Sequence, residues 1–329
     1  MTGVAGFIGS QLADSLLEDG DRVSGADDFS LGTPGHLDSA RQNPRFRFFE
    51  CDIADPQRAI DCIRAASEWG GSPDVIWHLA ANSDIAAGVV NPAVDFTRTL
   101  QTTFAAAEAA RFHGIRNIAF ASTSAIYGEL DGPLTEDSGP LLPISNYGAT
   151  KLAGEALLSA AVESFLEQLW IFRFPNVVGP RATHGAILDF MTRLASRPDA
   201  LKVLGDGSQT KPYLHVSELV GAMKFIVARS RDRRNVFNIG PHGAGTSVSF
   251  IAEQTVAHIT PGTPIAYTGG DRGWVGDVPR FCYSTERLTR LGWEPRLTSN
   301  EAVLRAIDEM VSAASSTGSP GSTGATVRR

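Results

Sequence analysis

The sequence predicts an α/β fold, a doubly wound parallel sheet followed by a smaller C-terminal lobe. Three observations carry that prediction. Short apolar runs alternate with stretches of helical period, a glycine-spaced turn opens the first helix, and an acidic residue closes the next apolar run about 20 residues later.

The turn is "GVAGFIG", with glycines at 3, 6 and 9 and Phe7 and Ile8 between them. In a βαβ nucleotide unit the first glycine permits the tight turn and the second lets backbone approach a pyrophosphate. The third lets helix and strand pack closely while the helix N-terminus faces the phosphates. The helix that follows, "SQLADSLLEDG", stops at Gly20. "DRVSGA" (21–26) reads as a strand ending at Asp27, whose carboxylate can accept both hydroxyls of a ribose. An acid there would repel a 2′-phosphate, which favours NAD over NADP. Asp28 and Ser30 belong to the same loop, and plain turn chemistry is the competing account of both aspartates. "FRFFE" (46–50) is the next strand, with Asp52 and Ile53 of "CDIAD" placed to meet an adenine edge. "DVIWHLA" (74–80) ends in Leu79, Ala80 and Ala81, where small side chains allow backbone to approach the same ligand. A tightly packed strand end would also account for each of these.

"AVDFTRTLQTTFAAAEAARFHG" is helical and closes at Gly114, and "NIAFAST" (117–123) is a strand whose end carries the hydroxyls of Thr123 and Ser124. The next helix, "SNYGATKLAGEALLSAAVESFLEQL", places Tyr147 and Lys151 four residues apart on one face. A lysine ammonium and a cofactor's positive charge would favour the phenolate, bringing the tyrosine from about 10 towards working pH. Ligands of such sheets bind beyond the carboxyl ends of the strands, which is where Thr123 falls. Capping by Ser145 and Asn146 would explain the helix start, but not the tyrosine, lysine and hydroxyls together. "LWIFRFP" (169–175) is the last strand of the regular alternation.

Beyond residue 175 loops lengthen and proline and glycine become frequent, as in "GDGSQTKPYLHV" and "GGDRGWVGDVPRF". The expected division is a Rossmann-type cofactor domain over 1–175, with return segments near 212–240, and a substrate lobe over 176–311. The small, polar run from 312 to 329 is expected to be a disordered tail. A net charge of −7 with no clustered basic face argues against nucleic acid or an anionic membrane as partner. Three cysteines at unrelated spacings suggest neither a disulfide framework nor a metal site, and no apolar run approaches a membrane span. A cytoplasmic protein is expected.

"TGVAGFIGS", "HLAA", "STSAIYG", "YGATK" and "FPNVVGPR" together resemble the extended short-chain dehydrogenase/reductase family, specifically NAD-dependent sugar-nucleotide epimerases of the UDP-glucose 4-epimerase type. The resemblance runs from residue 1 to about 311 and is more specific for the family than for the sugar. It implies that Tyr147 is the acid/base, that Lys151 holds the nicotinamide ribose and lowers the tyrosine pKa, and that Thr123 hydrogen-bonds the sugar's 4-hydroxyl. It implies phosphate-side contacts from Asn176, Arg181 at the mouth of that site, and Lys211 and Arg272 near the diphosphate. An ordinary surface role remains open for Arg181, Lys211 and Arg272. The implied reaction is oxidation at C4, rotation of the 4-keto sugar and return of hydride to its other face, with NAD neither gained nor lost.

Two departures stand out. Thr99 occupies the position of an asparagine that helps order the family's site. Ser124 and Ala125 stand where the related sugar 4,6-dehydratases carry acidic residues, which weighs against dehydration. The family also carries a strand ahead of the "TG", so a start codon placed too late, or a natural truncation, is expected here. A UDP-uronate 4-epimerase, another nucleotide-sugar epimerase or dehydratase, and a catalytically silent NAD-binding sensor or scaffold are the competing readings. A homodimer through helices near 95–113 and 147–167 is expected from the resemblance alone.

Overall fold

The computed structural model describes residues 1–130, 132–270 and 282–316. Eight strands carry the site: β1 (Val23–Asp27), β2 (Phe46–Glu50), β3 (Ile76–His78), β4 (Asn117–Ala121), β5 (Gln168–Arg173), β6 (Asn176–Val178), β7 (Tyr213–His215) and β8 (Arg234–Asn238). Eight helices pack around them: α1 (Phe7–Glu18), α2 (Pro56–Gly70), α3 (Thr102–His113), α4 (Asn146–Ser164), α5 (Ala186–Ser196), α6 (Val216–Arg229), α7 (Val248–Ile259) and α8 (Ser299–Ser316).

Every pairing among these strands is parallel: β1 with β2, β3 with β4, β4 with β5, β5 with β8 and β6 with β7. The strands expected from the apolar runs are present, with each end within two residues of its expected limit. Side chains of β5 alternate as a strand's must. Leu169 and Ile171 pack towards α4, while Trp170 and Phe172 pack towards α1 and α6. With both faces covered, the strand reads as a continuous apolar run.

The sheet is interrupted between β1 and β3. Met1 and Thr2 lie in that gap, and Thr2 alone bridges both neighbours, pairing in parallel with Ala26 and His78. Its N–H donates to the Trp77 carbonyl at 2.9 Å, and its carbonyl accepts from Leu79 at 3.3 Å. Met1 adds bonds to β1 only, from its ammonium to the Ser24 carbonyl at 2.7 Å and to its carbonyl from Ala26 at 2.8 Å. A cavity of about 460 Å³ opens beside this pair, walled by apolar residues including Val23, Ile63, Trp77 and Ala106.

The C-terminal region is more helical than its composition suggests. Ile187, Phe190 and Leu194 of α5 form a separate core with Ile251 and Val256 of α7 and Val303 and Ile307 of α8. The 187/190/194 spacing is a legible helical stripe that the surrounding glycines and prolines obscure. The helix α2, capped by Asp55 through the N–H groups of Gln57 and Arg58, was likewise not anticipated. The expected disordered tail begins too early at 312, because α8 continues to Ser316. Residues 317–329 lie outside those described.

Candidate active site

A cleft of about 370 Å³ follows the carboxyl ends of the strands and receives the N-terminus of α1. At one end the glycine turn is shaped by contact. Gly3 has φ +68°, and a Cβ there would sit 2.7 Å from the Ala80 nitrogen. A Cβ on Gly9 would fall 2.0 Å from the Gly3 carbonyl oxygen. Gly6, Phe7 and Ile8 line the cleft beside them, where the first helical turn has N–H groups with no partner inside the helix.

Asp27 closes β1 with each carboxylate oxygen already bonded, Oδ2 to the Ala5 N–H and Oδ1 to the Phe29 N–H, both at 2.9 Å. Burial raises its pKa, while these backbone donors pull the other way. Each oxygen keeps a lone pair for a ribose hydroxyl. Asp28 pairs with Arg98 at 3.1 Å and accepts the Ser30 N–H at 2.9 Å. Asp52, Ile53, Leu79, Ala80 and Ala81 also line this end of the cleft. The glycine cradle and the carboxylate beyond it fit a dinucleotide.

At the other end, the Ser145 hydroxyl caps α4 by accepting the Gly148 N–H at 3.1 Å, and the Asn146 side chain donates to the Gly88 carbonyl at 3.0 Å. Tyr147, on the first turn, lines the cleft, and burial pushes its pKa up to about 12, opposed by a hydrogen bond with Thr123. Lys151, one turn on, is buried. Its Nζ donates to the Ala121 carbonyl at 2.5 Å and lies 4.8 Å from the Phe120 ring centroid and 6.0 Å from that of Tyr147. Burial draws its pKa down to about 7, opposed by Glu155. Burial thus works against charge on both the phenol and the lysine, and added positive charge in the cleft would favour the phenolate. Thr123 is buried at the end of β4, and Ser124, Asn176 and Lys211 line the cleft around it.

One expected residue is elsewhere. Arg181 does not line the cleft. It takes a left-handed backbone conformation, φ +65°, and pairs with Asp14 of α1 at 2.7 Å. Gln11 of the same helix donates to the Pro180 carbonyl at 2.7 Å, so Pro180 and Arg181 are fastened to α1 while Gly179, Ala182 and Thr183 on either side line the cleft. Arg272 lies outside the described residues. Thr99 is buried and its hydroxyl accepts the Asn82 N–H at 3.1 Å, so it orders the loop after β3.

Other residues of the site were not anticipated. Ser83, Arg98 and His184 line the cleft. Asp95 lies wholly buried behind it, with Oδ1 accepting from Asn82 at 2.8 Å and Oδ2 without a donor among the described residues. Gly88 makes room for that oxygen, since a Cβ there would sit 1.8 Å away. Nothing in the sequence separates Asp95 from a surface acid. Glu155 did carry a signal, its position four residues after Lys151.

A model of the NAD-dependent epimerase/dehydratase family matches residues 1–240, which contain every described lining residue of the cleft except Met310. The chain belongs to this family. It is 31% identical over 314 residues to a UDP-glucose 4-epimerase of Mycolicibacterium smegmatis, covering 94% of this chain and 96% of the relative. It is 32% identical over 247 residues to a dTDP-glucose 4,6-dehydratase of Streptomyces griseus, covering 73% and 72%. Among solved structures, the UDP-glucose 4-epimerase of Thermotoga maritima with UDP-glucose superposes with a TM-score of 0.82 at 28% identity, covering 95% of this chain and 98% of that one.

The described acids of the cleft lie at one end of it. Asp27, Asp28 and Asp52 sit at the end formed by β1 and β2. Among the described lining residues around Thr123, Tyr147 and Lys151 there is no aspartate or glutamate. None of the described helices is long and apolar enough to cross a membrane.

Proposed function

We propose that this protein interconverts the C4 epimers of a nucleotide-diphosphate sugar, a UDP-hexose, by transient oxidation to a 4-keto intermediate. The observation that carries the reading is the pairing of Tyr147 and Lys151 with Thr123 in a cleft end that has no carboxylate among its described residues. Elimination of water across C5 and C6 would need a further acid and base. Ser124 and Ala125, which follow Thr123, supply neither. A solved relative containing UDP-glucose supports the choice of nucleotide.

NAD held by Gly3, Gly6, Gly9 and Asp27 supplies a reversible hydride acceptor. Tyr147 takes the proton of the sugar's 4-hydroxyl and returns it once the sugar has turned over. Thr123 holds that oxygen, and Lys151 stabilises the phenolate by its charge. Asn176 and Lys211 grip the diphosphate side, leaving the hexose among small hydroxyls where it can rotate. The uronate reading drew on Arg181 or on a serine/threonine cluster to receive the carboxylate; Arg181 is paired with Asp14, which leaves the hydroxyls for that role. A homodimer is part of the proposal, supported by Phe96, Phe104 and Phe112 exposed along the segment ending in α3.

The test is incubation of the purified protein with a panel of nucleotide sugars without added NAD. A UDP-hexose pair should equilibrate, and Tyr147→Phe should lower turnover by about 10²–10⁴-fold while leaving bound cofactor in place. Unchanged turnover in that variant removes Tyr147 from its role, and bound NAD without any epimerisation favours the sensor reading.

A further inference from the structure

Three consecutive residues at the end of β4 meet three successive turns of α4. The Ala121 carbonyl accepts from Lys151, the Ser122 hydroxyl donates to Glu155 Oε1, and Thr123 shares the cleft lining with Tyr147. The helical residues recur every four positions, so the contacts stack as rungs between strand and helix. The rungs at Ala121 and Thr123 involve the reacting groups. The one at Ser122 ends on Glu155, a buried carboxylate outside the cleft.

Glu155 is held from the far side by Arg173, the last residue of β5. Its Nε donates to Oε1 at 3.0 Å and its Nη2 to Oε2 at 2.7 Å, the bidentate geometry that fixes orientation as well as distance. The remaining Arg173 donor, Nη1, reaches the Tyr127 hydroxyl and the Glu136 carbonyl, each at 3.0 Å. Tyr127 in turn donates to Asn238 Oδ1, at the end of β8, at 2.7 Å. One carboxylate thus ties α4 to the carboxyl ends of β4, β5 and β8. A buried ion pair adds little net stability over well-packed apolar side chains, so its geometry is the more telling property.

We propose that Glu155, clamped by Arg173 and Ser122, is a positioning residue that sets the height of α4 against β4 and keeps the Lys151 ammonium charged behind Tyr147. This rests on the roles given to Tyr147 and Lys151 above. The other titratable groups facing the pair are His78 from β3, which burial pushes down to about 3 and so keeps neutral, and Asp95, whose carboxyl burial pushes up. Removing the Glu155 charge lowers the proton affinity of Lys151, leaves less positive charge beside the phenol, and moves the Tyr147 titration upward.

The experiment uses NAD-loaded full-length protein and the variants Glu155→Gln, Ser122→Ala and Ser122→Thr. The phenol is titrated by absorbance near 295 nm, with Tyr147→Phe as blank. Glu155→Gln should retain its NAD and shift the phenol midpoint up by about one pH unit. With the UDP-hexose pair its kcat should fall about 10–100-fold with KM nearly unchanged, as misplacement of a reacting group does. Ser122→Ala should move in the same direction by less, and Ser122→Thr, which keeps the hydroxyl, should restore wild-type behaviour. An unshifted midpoint in folded, NAD-loaded Glu155→Gln overturns the proposal. If that variant does not fold, an unshifted midpoint in Ser122→Ala does the same. The titration needs no substrate, so wild-type protein that turns over no sugar defeats the proposed reaction while the midpoints still decide the role of Glu155.

Discussion

At the cofactor end of the cleft, Thr2 is the residue that pairs with both β1 and β3 among the described residues, and a cavity of about 460 Å³ lies beside that bridge. At the catalytic end, β4 is paired along its whole length with β5, and α4 is fastened to it by the contacts of Lys151 and Glu155. The same ligand is expected to span both. The first end holds its shape through close backbone approach, Gly3 against Ala80 and Gly9 against Gly3, where a single added methyl has nowhere to go. The second holds its shape through side chains, each of which can be weakened by degrees. Substitutions at the glycine turn should therefore act nearly all or none, and those at the strand–helix rungs should act in proportion to how far each hydrogen bond is weakened.

The sharpest way to break this contrast is Gly9→Ala. Its new Cβ would fall 2.0 Å from the Gly3 carbonyl oxygen, so the turn must open. The purified variant should carry essentially no NAD, measured as nucleotide released on denaturation, and a fully loaded variant would show that the turn is not held by contact. A smaller effect is expected from Thr2→Pro, which removes the N–H bonded to the Trp77 carbonyl. Leaving that buried acceptor unpaired should cost about 1–3 kcal/mol, read as a lower urea midpoint, and an unaltered midpoint would mean that the bridge contributes nothing. The smallest effect belongs to Arg181→Ala. Its ion pair with Asp14 is about one-quarter exposed, at 29% and 21% for the two side chains. Its loss should cost roughly 0.2–1 kcal/mol and leave KM for the nucleotide sugar unchanged. A tenfold rise in KM would return Arg181 to the substrate site.

Much of this molecule was legible before its structure. The apolar runs placed β2, β4 and β5 to within about two residues of their observed limits, and four-residue spacing put Tyr147 and Lys151 on one face of α4. The acid at the end of β1 and the small residues after β3 line the cleft. Two kinds of feature were harder to read. The helices of the C-terminal region, α5, α7 and α8, bury their apolar stripes against one another, so their sequences look discontinuous until they are brought together. Arg181 and Asp95 depend on distant partners, Asp14 and Asn82, and no local pattern announces either pairing.

The local sequence therefore determined what is periodic or conformationally forced: where strands and helices run, where glycine must stand, and which side chains share a helical face. Those properties follow from φ/ψ sterics and from the 2- and 3.6-residue repeats, which act over a few neighbours. Tertiary structure alone decided which charges meet. It turned Arg181 away from the cleft, buried Asp95 behind it, and brought Arg173 to Glu155 from a different strand, because electrostatic partnership depends on distance in space and on exclusion of water, neither of which is written in the order of residues.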